Sequence, residues 1–269
     1  MDNRPVGVFD SGLGGLTAAR KIRSILPSED IIYFGDTSRV PYGGRSREIL
    51  LKYARQDVRF LRSFDIKAIV VACGTVSTTC LPQLQAENDL PVLGVVEPAC
   101  RRAVAVSKTR HVGLIATAAS VRSGTYEQII HTLDPDVTVT ARACPLFVPL
   151  VENGRYERGD VVIETVAREY LEPIRGSGID TLILGCTHYP LIRPVIDRLL
   201  RSRVTLIDSG AQVARWAQTL LTREDMLGAG NGGAEYYVSD SPEMFIETAG
   251  IFLGEDVHGN VTQIDLDTL

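Results

Sequence analysis

The chain alternates short apolar runs with longer segments in which apolar residues recur at helical spacing. The short runs are rich in Val and Ile and have turn residues at both ends, which is typical of strands buried on both faces. Strands that alternate with helices in this way predict a parallel sheet flanked by helices, so the fold class is α/β. Nine strands are predicted, at Val6–Phe9, Ile31–Phe34, Ala68–Ala72, Val92–Val96, Val112–Ile115, Val137–Val139, Thr181–Leu184, Val204–Ile207 and Tyr236–Val238.

One predicted helix has a clear start. It follows Ser46, and its apolar residues lie near helical spacing at Ile49, Leu50, Tyr53, Leu61 and Phe64. A strand and a helix are also expected in the tail of the chain, between Tyr236 and Leu253.

A faint internal repeat divides the chain into two similar α/β halves. Three segments recur in the same order: Val6–Phe9 as Val112–Ile115 and Asp30–Ile32 as Asp136–Thr138, both at an offset of 112 − 6 = 106, and Ile66–Cys73 as Ile179–Cys186 at 186 − 73 = 113. Any one match between apolar strands is weak. Three in order, the last ending on a cysteine each time, indicate two related halves.

Composition and charge exclude several function classes. The net charge of −5 over 269 residues argues against a nucleic-acid groove or an acidic membrane surface as the main partner. Apolar runs fall short of the ~18–20 residues that span a bilayer, and the N-terminus lacks the pattern of a secretion signal. The five cysteines are scattered rather than spaced as a disulfide framework, so we expect a cytoplasmic protein with reduced thiols.

Two of the cysteines occupy equivalent strand ends. Cys73 ends one predicted strand and is followed by Gly74-Thr75, and Cys186 ends another and is followed by Thr187-His188. Ligands of open parallel sheets bind beyond the carboxyl ends of the strands. Backbone donors and a helix N-terminus at such a position are expected to stabilise a thiolate, and a free thiol needs its pKa lowered to act at neutral pH.

Other interpretations of the cysteines stay open at this point. Most buried cysteines are inert packing residues, and this is the interpretation for Cys80, Cys100 and Cys144. A metal site is not expected, because there is no C-x2-C pair and Cys186 with His188 gives only two adjacent ligands. A Cys/His nucleophile pair for hydrolysis would leave the second cysteine without a role.

A symmetrical pair of acid/base thiols suits the inversion of a carbon stereocentre. One group removes a proton from one face of the carbon, and the other returns a proton to the opposite face. No motif for pyridoxal phosphate stands in the sequence, so the site itself would have to stabilise the carbanionic transition state.

A glycine-rich turn follows the first strand, at Asp10-Ser11-Gly12-Leu13-Gly14-Gly15-Leu16-Thr17. Its spacing is a poor match to the dinucleotide fingerprint, and it lacks the ending of a phosphate loop. The pattern favours a strand-to-helix turn whose N–H groups could hold a carboxylate, although Gly14 and Gly15 could equally serve helix packing alone. Asp10, a carboxylate at a strand end, is a candidate functional residue.

Together these residues resemble the glutamate racemase family of the aspartate/glutamate racemase superfamily. The resemblance covers nearly the whole chain, and a His rather than a Glu after Cys-Thr favours the glutamate enzymes. The motifs that carry it are Phe9 to Thr17, Gly35-Asp36-Thr37 with Pro41-Tyr42-Gly43, Ala72-Cys73-Gly74-Thr75, Pro149-Leu150-Val151-Glu152, Gly185-Cys186-Thr187-His188-Tyr189-Pro190 and Phe252-Leu253-Gly254.

The resemblance implies racemisation of L- and D-glutamate without a cofactor or metal, which would supply D-glutamate for peptidoglycan, and it implies a homodimer. Cys73 and Cys186 would be the two bases, Asp10 would assist Cys73, and Glu152 and His188 would assist Cys186. The substrate site would be formed by Asp10, Ser11, Tyr42, Gly43, Gly74, Thr75, Thr117, Ser120, Thr187 and His188. His188 could instead only orient Thr187, and Tyr42 could be a packing residue with its hydroxyl at the surface.

The family fold further implies two pseudo-twofold related domains with the active site in the cleft between them. Residues 1–97 and 208–269 would form one domain and residues 98–207 the other.

Two positions depart from the family pattern. Gly74 stands where the family normally has Asn, and a lost hydrogen bond to a charged group costs roughly 1.5–3 kcal/mol. Three alternatives therefore stay open: a weakly active enzyme, a regulatory homologue that binds without turnover, and a racemase or isomerase of another acidic substrate such as aspartate. A Gly74→Asn change is expected to raise activity if the amide is limiting. Ser120 replaces the usual Thr and keeps its hydroxyl.

Overall fold

The computed structural model of the protein describes residues 1–257 and 261–266. It contains two parallel sheets. The first has the strand order β10-β9-β2-β1-β3-β4 and the second the order β6-β5-β7-β8. The strands are β1 Val6–Asp10, β2 Ile31–Gly35, β3 Ala68–Val71, β4 Val92–Gly94, β5 His111–Ala116, β6 Thr138–Ala143, β7 Thr181–Gly185, β8 Thr205–Asp208, β9 Ala234–Val238 and β10 Val261–Gln263.

Helices connect the strands and cover the sheets, which confirms the α/β class. They are α1 Leu16–Ile25, α2 Arg47–Leu61, α3 Gly74–Thr79, α4 Leu81–Ala86, α5 Val96–Val106, α6 Ala118–Ser123, α7 Thr125–Leu133, α8 Phe147–Glu152, α9 Val161–Arg175, α10 Arg193–Leu199, α11 Ser209–Arg223 and α12 Pro242–Leu253. Within the described residues, none of them combines the length and apolar character that crossing a membrane requires.

Alternate residues of the first sheet enter two different cores. Val8 and Tyr33 belong to one apolar cluster, and their neighbours Phe9 and Phe34 belong to the other. This is the two-faced burial expected of side chains that alternate along a strand. The first cluster continues into β5 and β7, so the two sheets share one continuous core.

The internal repeat has a structural counterpart. Within each half, the second strand in the chain lies at one side of the first, and the third and fourth strands follow on the other side. The orders are β2-β1-β3-β4 in the first half and β6-β5-β7-β8 in the second. Gly7 of β1 makes room for Ile66 and Leu61, and Gly113 of β5 makes room for Ile179 and Ile174. Ile179 and Ile174 each follow their counterparts Ile66 and Leu61 by 113 residues (179 − 66 and 174 − 61). This is the offset predicted from the match of Ile66–Cys73 with Ile179–Cys186.

The second predicted match is wrong in its register. Val6 pairs with Ile31, whereas Val112 pairs with Val139, so the offset between these strands is 139 − 31 = 108 rather than 106. The strand itself also runs later than predicted, over Thr138–Ala143, because its half-exposed polar residues conceal it from a search for apolar runs.

The ends of other predicted elements need smaller corrections. Helix α2 is capped by Ser46 as expected, with its Oγ accepting from the N–H of Ile49 at 3.4 Å, but Ile49 is exposed and Phe64 lies beyond the helix. The short edge strand β10 has no apolar run and was not predicted.

The predicted domain boundaries stay a prediction. β9 and β10 pair with the first sheet although they follow the second in the chain, and the predicted cuts after residues 97 and 207 fall inside α5 and β8. Residues 258–260 and 267–269 of the predicted first domain lie outside the described residues.

Candidate active site

Asp10 ends β1, and the glycine-rich turn that follows folds around its carboxylate. Oδ2 of Asp10 accepts hydrogen bonds from the N–H groups of Gly12 (3.2 Å) and Gly15 (2.9 Å). Burial raises the pKa of the Asp10 carboxyl, and the nearby charge of His188 and these N–H donors partly offset the rise. The turn therefore holds a carboxylate as predicted, but the carboxylate bound by the N–H groups of Gly12 and Gly15 is that of Asp10 and not that of a ligand.

Cys73 follows β3 and forms the N-cap of α3. The thiol is 4% exposed and donates to Oγ of Ser11, with Sγ and Oγ 3.6 Å apart. Burial and the neighbouring Asp10 charge raise the pKa of Cys73 to about 12, and the N–H of Val76 only partly opposes them. The expectation of a lowered pKa is therefore wrong for this thiol, because removal from water outweighs the donors of a six-residue helix.

Cys186 follows β7 and begins a chain of polar contacts. Its Sγ lies 3.8 Å from Nδ1 of His188, and Nε2 of His188 lies 2.9 Å from Oε1 of Glu152, the last residue of α8. Burial alone would lower the pKa of His188, but its contacts with Cys186 and Glu152 raise that pKa to about 10. The raised pKa keeps the imidazole protonated at neutral pH, between Sγ of Cys186 and the Glu152 carboxylate.

The two thiols face one cavity of about 520 Å³ between the sheets. This volume lies within the range usual for small-molecule sites. All the predicted site residues except Ser120 line it: Asp10, Ser11, Tyr42, Gly43, Cys73, Gly74, Thr75, Thr117, Glu152, Cys186, Thr187 and His188.

Ser120 lies behind the cavity wall rather than in it. Its side chain is fully buried, and its Oγ accepts from Oγ1 of Thr117 at 3.0 Å. Thr117 in turn lies 3.1 Å from Oγ1 of Thr75, a contact that joins the two halves across the cleft. Because Ser120 lies within α6, behind its N-cap Thr117, its hydroxyl supports Thr117 instead of reaching the cavity.

Tyr42 lies in the cavity wall, and the alternative of a packing residue with its hydroxyl at the surface is wrong. Its hydroxyl is buried and donates to the carboxylates of Asp36 and Asp57. Arg39 pairs with both carboxylates, at 2.6 and 3.1 Å, and compensates their charge. Burial and the Asp36 charge raise the pKa of Asp57 well above its usual range.

Sequence reasoning missed several residues of the cavity wall. Cys144, assigned to packing, is fully buried but also borders the cleft, whereas Cys80 and Cys100 are buried away from it. The strand-end argument applied to β6 would have found Cys144 and Pro145. The other lining residues that were not predicted are Gly12, Leu13, Val40, Pro41, Gly44, Ala118, Arg122, Val148, Pro149 and Gly185. Among the described residues, no group of three or more His, Cys, Asp or Glu side chains is arranged to hold a metal ion.

The amino-acid sequence is similar to those of known proteins. A sequence model of the Asp/Glu/Hydantoin racemase family matches residues 20–217. The glutamate racemase of Geobacter metallireducens is 44% identical over 269 residues, which cover 99% of this chain and 98% of that protein.

Solved structures resemble the chain over the same length. The structure of glutamate racemase isoform RacE1 from Bacillus anthracis has a TM-score of 0.95 at 36% identity and covers 99% of both chains. That of glutamate racemase from Francisella tularensis in complex with D-glutamate has a TM-score of 0.92 at 38% identity and covers both chains fully (100%).

Proposed function

Because the chain belongs to the Asp/Glu/Hydantoin racemase family, we propose that it interconverts L- and D-glutamate, with Cys73 and Cys186 as the two bases. The single observation that carries this proposal is the placement of the thiols. One follows a strand of the first sheet and the other the equivalent strand of the second, and both border the same cavity. A substrate in this cavity has a thiol from each half beside it.

The proposed reaction balances when one of the two cysteines begins as a thiolate and the other as a thiol. With its pKa near 12, Cys73 carries a proton at neutral pH, and the imidazolium of His188 supplies a positive charge beside Sγ of Cys186. The Cys186 thiolate removes the α-proton from one enantiomer, and the Cys73 thiol gives its own proton to the opposite face. The site then holds a Cys186 thiol and a Cys73 thiolate, which is the arrangement that processes the other enantiomer.

The residues around the thiols have distinct roles in this proposal. Asp10 adjoins Cys73, and Glu152 acts on Cys186 through His188. Hydroxyl and backbone donors of Ser11, Gly43, Gly74, Thr75, Thr117 and Thr187 would hold the substrate's carboxylates and amino group. Tyr42 forms part of the cavity wall, and Ser120 positions Thr117. No cofactor enters the scheme, because both proton transfers are assigned to side chains of the chain itself.

The alternative functions have less support. Two thiols in one cavity serve no evident purpose in a regulator that only binds glutamate. The relative and the solved structures compared above carry the name glutamate racemase, which favours glutamate over aspartate.

The proposal is tested by following circular dichroism as each glutamate enantiomer racemises without added cofactor. We expect racemisation in both directions and its loss in Cys73→Ser and Cys186→Ser. Cys80→Ser, a buried thiol outside the cavity, is the matched control and should stay active. Full activity in either of the first two variants would contradict the two-base scheme, and turnover of aspartate alone would contradict the substrate.

Supply of D-glutamate to peptidoglycan in the cytoplasm, and assembly as a homodimer, belong to the same proposal. Growth of a D-glutamate auxotroph carrying the gene tests the first, and a Cys73→Ser copy is its control. Sedimentation equilibrium tests the second, since a single 29.3 kDa species would contradict a dimer.

A further inference from the structure

The two thiol-bearing strand ends meet through their backbones at Gly74 and Gly185. Gly74 is the first residue of α3, and Gly185 is the last residue of β7. A Cβ atom built on Gly74 would lie 2.7 Å from the carbonyl oxygen of Gly185, a separation that real Cβ atoms essentially never show. The obstacle is backbone, so no rotamer change relieves it, and any side chain at position 74 must push the two strand ends apart.

Each glycine of this contact is bonded to one of the two cysteines. Cys73 precedes Gly74 in the chain, and Cys186 follows Gly185. A displacement of Gly185 is therefore transmitted through one peptide unit to Cys186, while Cys73 stays with the first sheet.

Further contacts hold the same segment, residues 185–188, against the first half. Oγ1 of Thr17 donates to the carbonyl oxygen of Thr187 at 2.9 Å. A Cβ atom on Gly14 would overlap the side chains of Thr187 and His188, so Gly14 too leaves room for this segment. The ring of His188 packs edge-on against Phe252 of α12, with centroids 5.2 Å apart.

We infer that Gly74 is a positioning residue: its lack of a side chain lets segment 185–188 seat against the first half and sets the spacing of the Cys73 and Cys186 thiols. The inference rests on the proposed function, in which both thiols must reach the same α-carbon. The rate of proton transfer falls steeply as the distance between donor and acceptor grows, and a misplacement of about 1 Å lowers the rate on the order of 100-fold.

The direct test is Gly74→Ala, with Gly176→Ala as the control. A Cβ atom on Gly176 meets nothing within 4 Å, so this control removes a glycine without a steric consequence. For Gly74→Ala we expect kcat to fall about 10- to 100-fold in both directions with a much smaller change in KM, because the substrate's donors remain. A crystal structure should show Gly185 displaced from residue 74.

Several outcomes would overturn the inference. An unchanged kcat would do so, and so would a crystal structure of Gly74→Ala in which the new methyl group fits without moving segment 185–188. A variant that melts earlier yet turns over at the parental rate below its melting transition would show a merely structural role.

A second variant covers the case in which Gly74→Ala does not fold. Thr17→Val removes the hydroxyl that holds Thr187 and adds no atom at position 74. It should loosen the segment and lower kcat by a smaller factor, with KM nearly constant, and an unchanged kcat would count against the inference. If the parental protein does not racemise glutamate, the proposed function fails, while the crystal structure of Gly74→Ala still tests the contact.

Discussion

Oε1 of Glu152 lies 2.9 Å from Nε2 of His188, and this contact links the end of α8 to the segment that follows β7. The His188 side chain is 8% exposed, so a charge on it is shielded from water and depends on its partners. On its other side, Nδ1 lies 3.8 Å from Sγ of Cys186. The Glu152 carboxylate therefore helps to determine whether a cation stands beside the second thiol.

Glu152→Gln tests this dependence. The amide keeps an oxygen that can accept from Nε2 but removes the negative charge, so the pKa of His188 should fall from about 10. Replacing the charged acceptor by a neutral one weakens the hydrogen bond by about 1–1.5 kcal/mol, which corresponds to a fall in racemisation of about 5- to 10-fold. An NMR titration of the His188 ring measures the first effect. Glu157→Gln, an exposed position nearby, is the control, and an unchanged His188 pKa in Glu152→Gln would contradict the interpretation.

The raised pKa of His188 also predicts how stability varies with pH. The value is 6.5 for the free side chain and about 10 in the folded protein, so protonated His188 stabilises the fold. This contribution is complete below about 6.5 and is lost as the pH rises through 10. Urea unfolding of the parental protein and of His188→Asn across this range should show a difference that shrinks as the pH rises. A difference that grows with pH would contradict the assignment.

Asp10→Asn tests the cause of the high Cys73 pKa. The substitution keeps an oxygen that accepts from Gly12 and Gly15 but removes the charge that opposes the thiolate, so the Cys73 pKa should fall from about 12. Alkylation by iodoacetamide, followed by mass spectrometry at each pH, should show Cys73 reacting at lower pH. Cys144 provides an internal control, because burial raises its pKa to about 12 without a contribution from Asp10. Equal shifts at both thiols would indicate a general loosening of the fold.

Tyr42→Phe tests whether the Tyr42 hydroxyl stabilises the fold or binds the substrate. The Tyr42 hydroxyl donates to Asp36 and Asp57, so its removal should lower the free energy of unfolding by about 1.5–3 kcal/mol. Because these two carboxylates already engage the hydroxyl, KM for glutamate should change little. Tyr53→Phe, on the ring packed against Tyr42 at 5.5 Å between centroids, is the control. A raised KM with unchanged stability would restore the substrate-binding role predicted from the sequence.

Gly74→Asn distinguishes the sequence expectation from the structural one. The resemblance to the family predicts that an amide at this position raises activity by adding a donor to the substrate. The structure predicts the opposite, because the Cβ atom alone would come within 2.7 Å of the Gly185 carbonyl oxygen. We expect kcat to fall as in Gly74→Ala, measured by the same dichroism assay. A rise in kcat would mean that the strand ends separate without harm and that the missing amide limits the reaction.

Much of the fold follows from local pattern. The apolar runs of β1, β3 and β7 are recognisable in the sequence, because parallel strands buried on both faces are mostly apolar. The mixed strand β6 and the short edge strand β10 are not, since a partly exposed strand carries polar residues that resemble a loop. The same reasoning placed Cys73 and Cys186 at strand ends, where a parallel sheet gathers its functional groups.

The sequence by itself thus determined the α/β class, the two related halves and the positions of Cys73 and Cys186 at equivalent strand ends, because each depends on neighbours in the chain or on a repeat of its strand pattern. Most of the other predicted site residues rested on the resemblance to the family. Only the tertiary structure decided how those residues behave. Burial and the charge of Asp10 decide that the pKa of Cys73 is raised rather than lowered. The Tyr42 hydroxyl is engaged by Asp57 of α2. The steric effect of a side chain at position 74 is set by the backbone of Gly185. Solvation, charge and steric contact act through space, and the groups that exert them here lie far away in sequence.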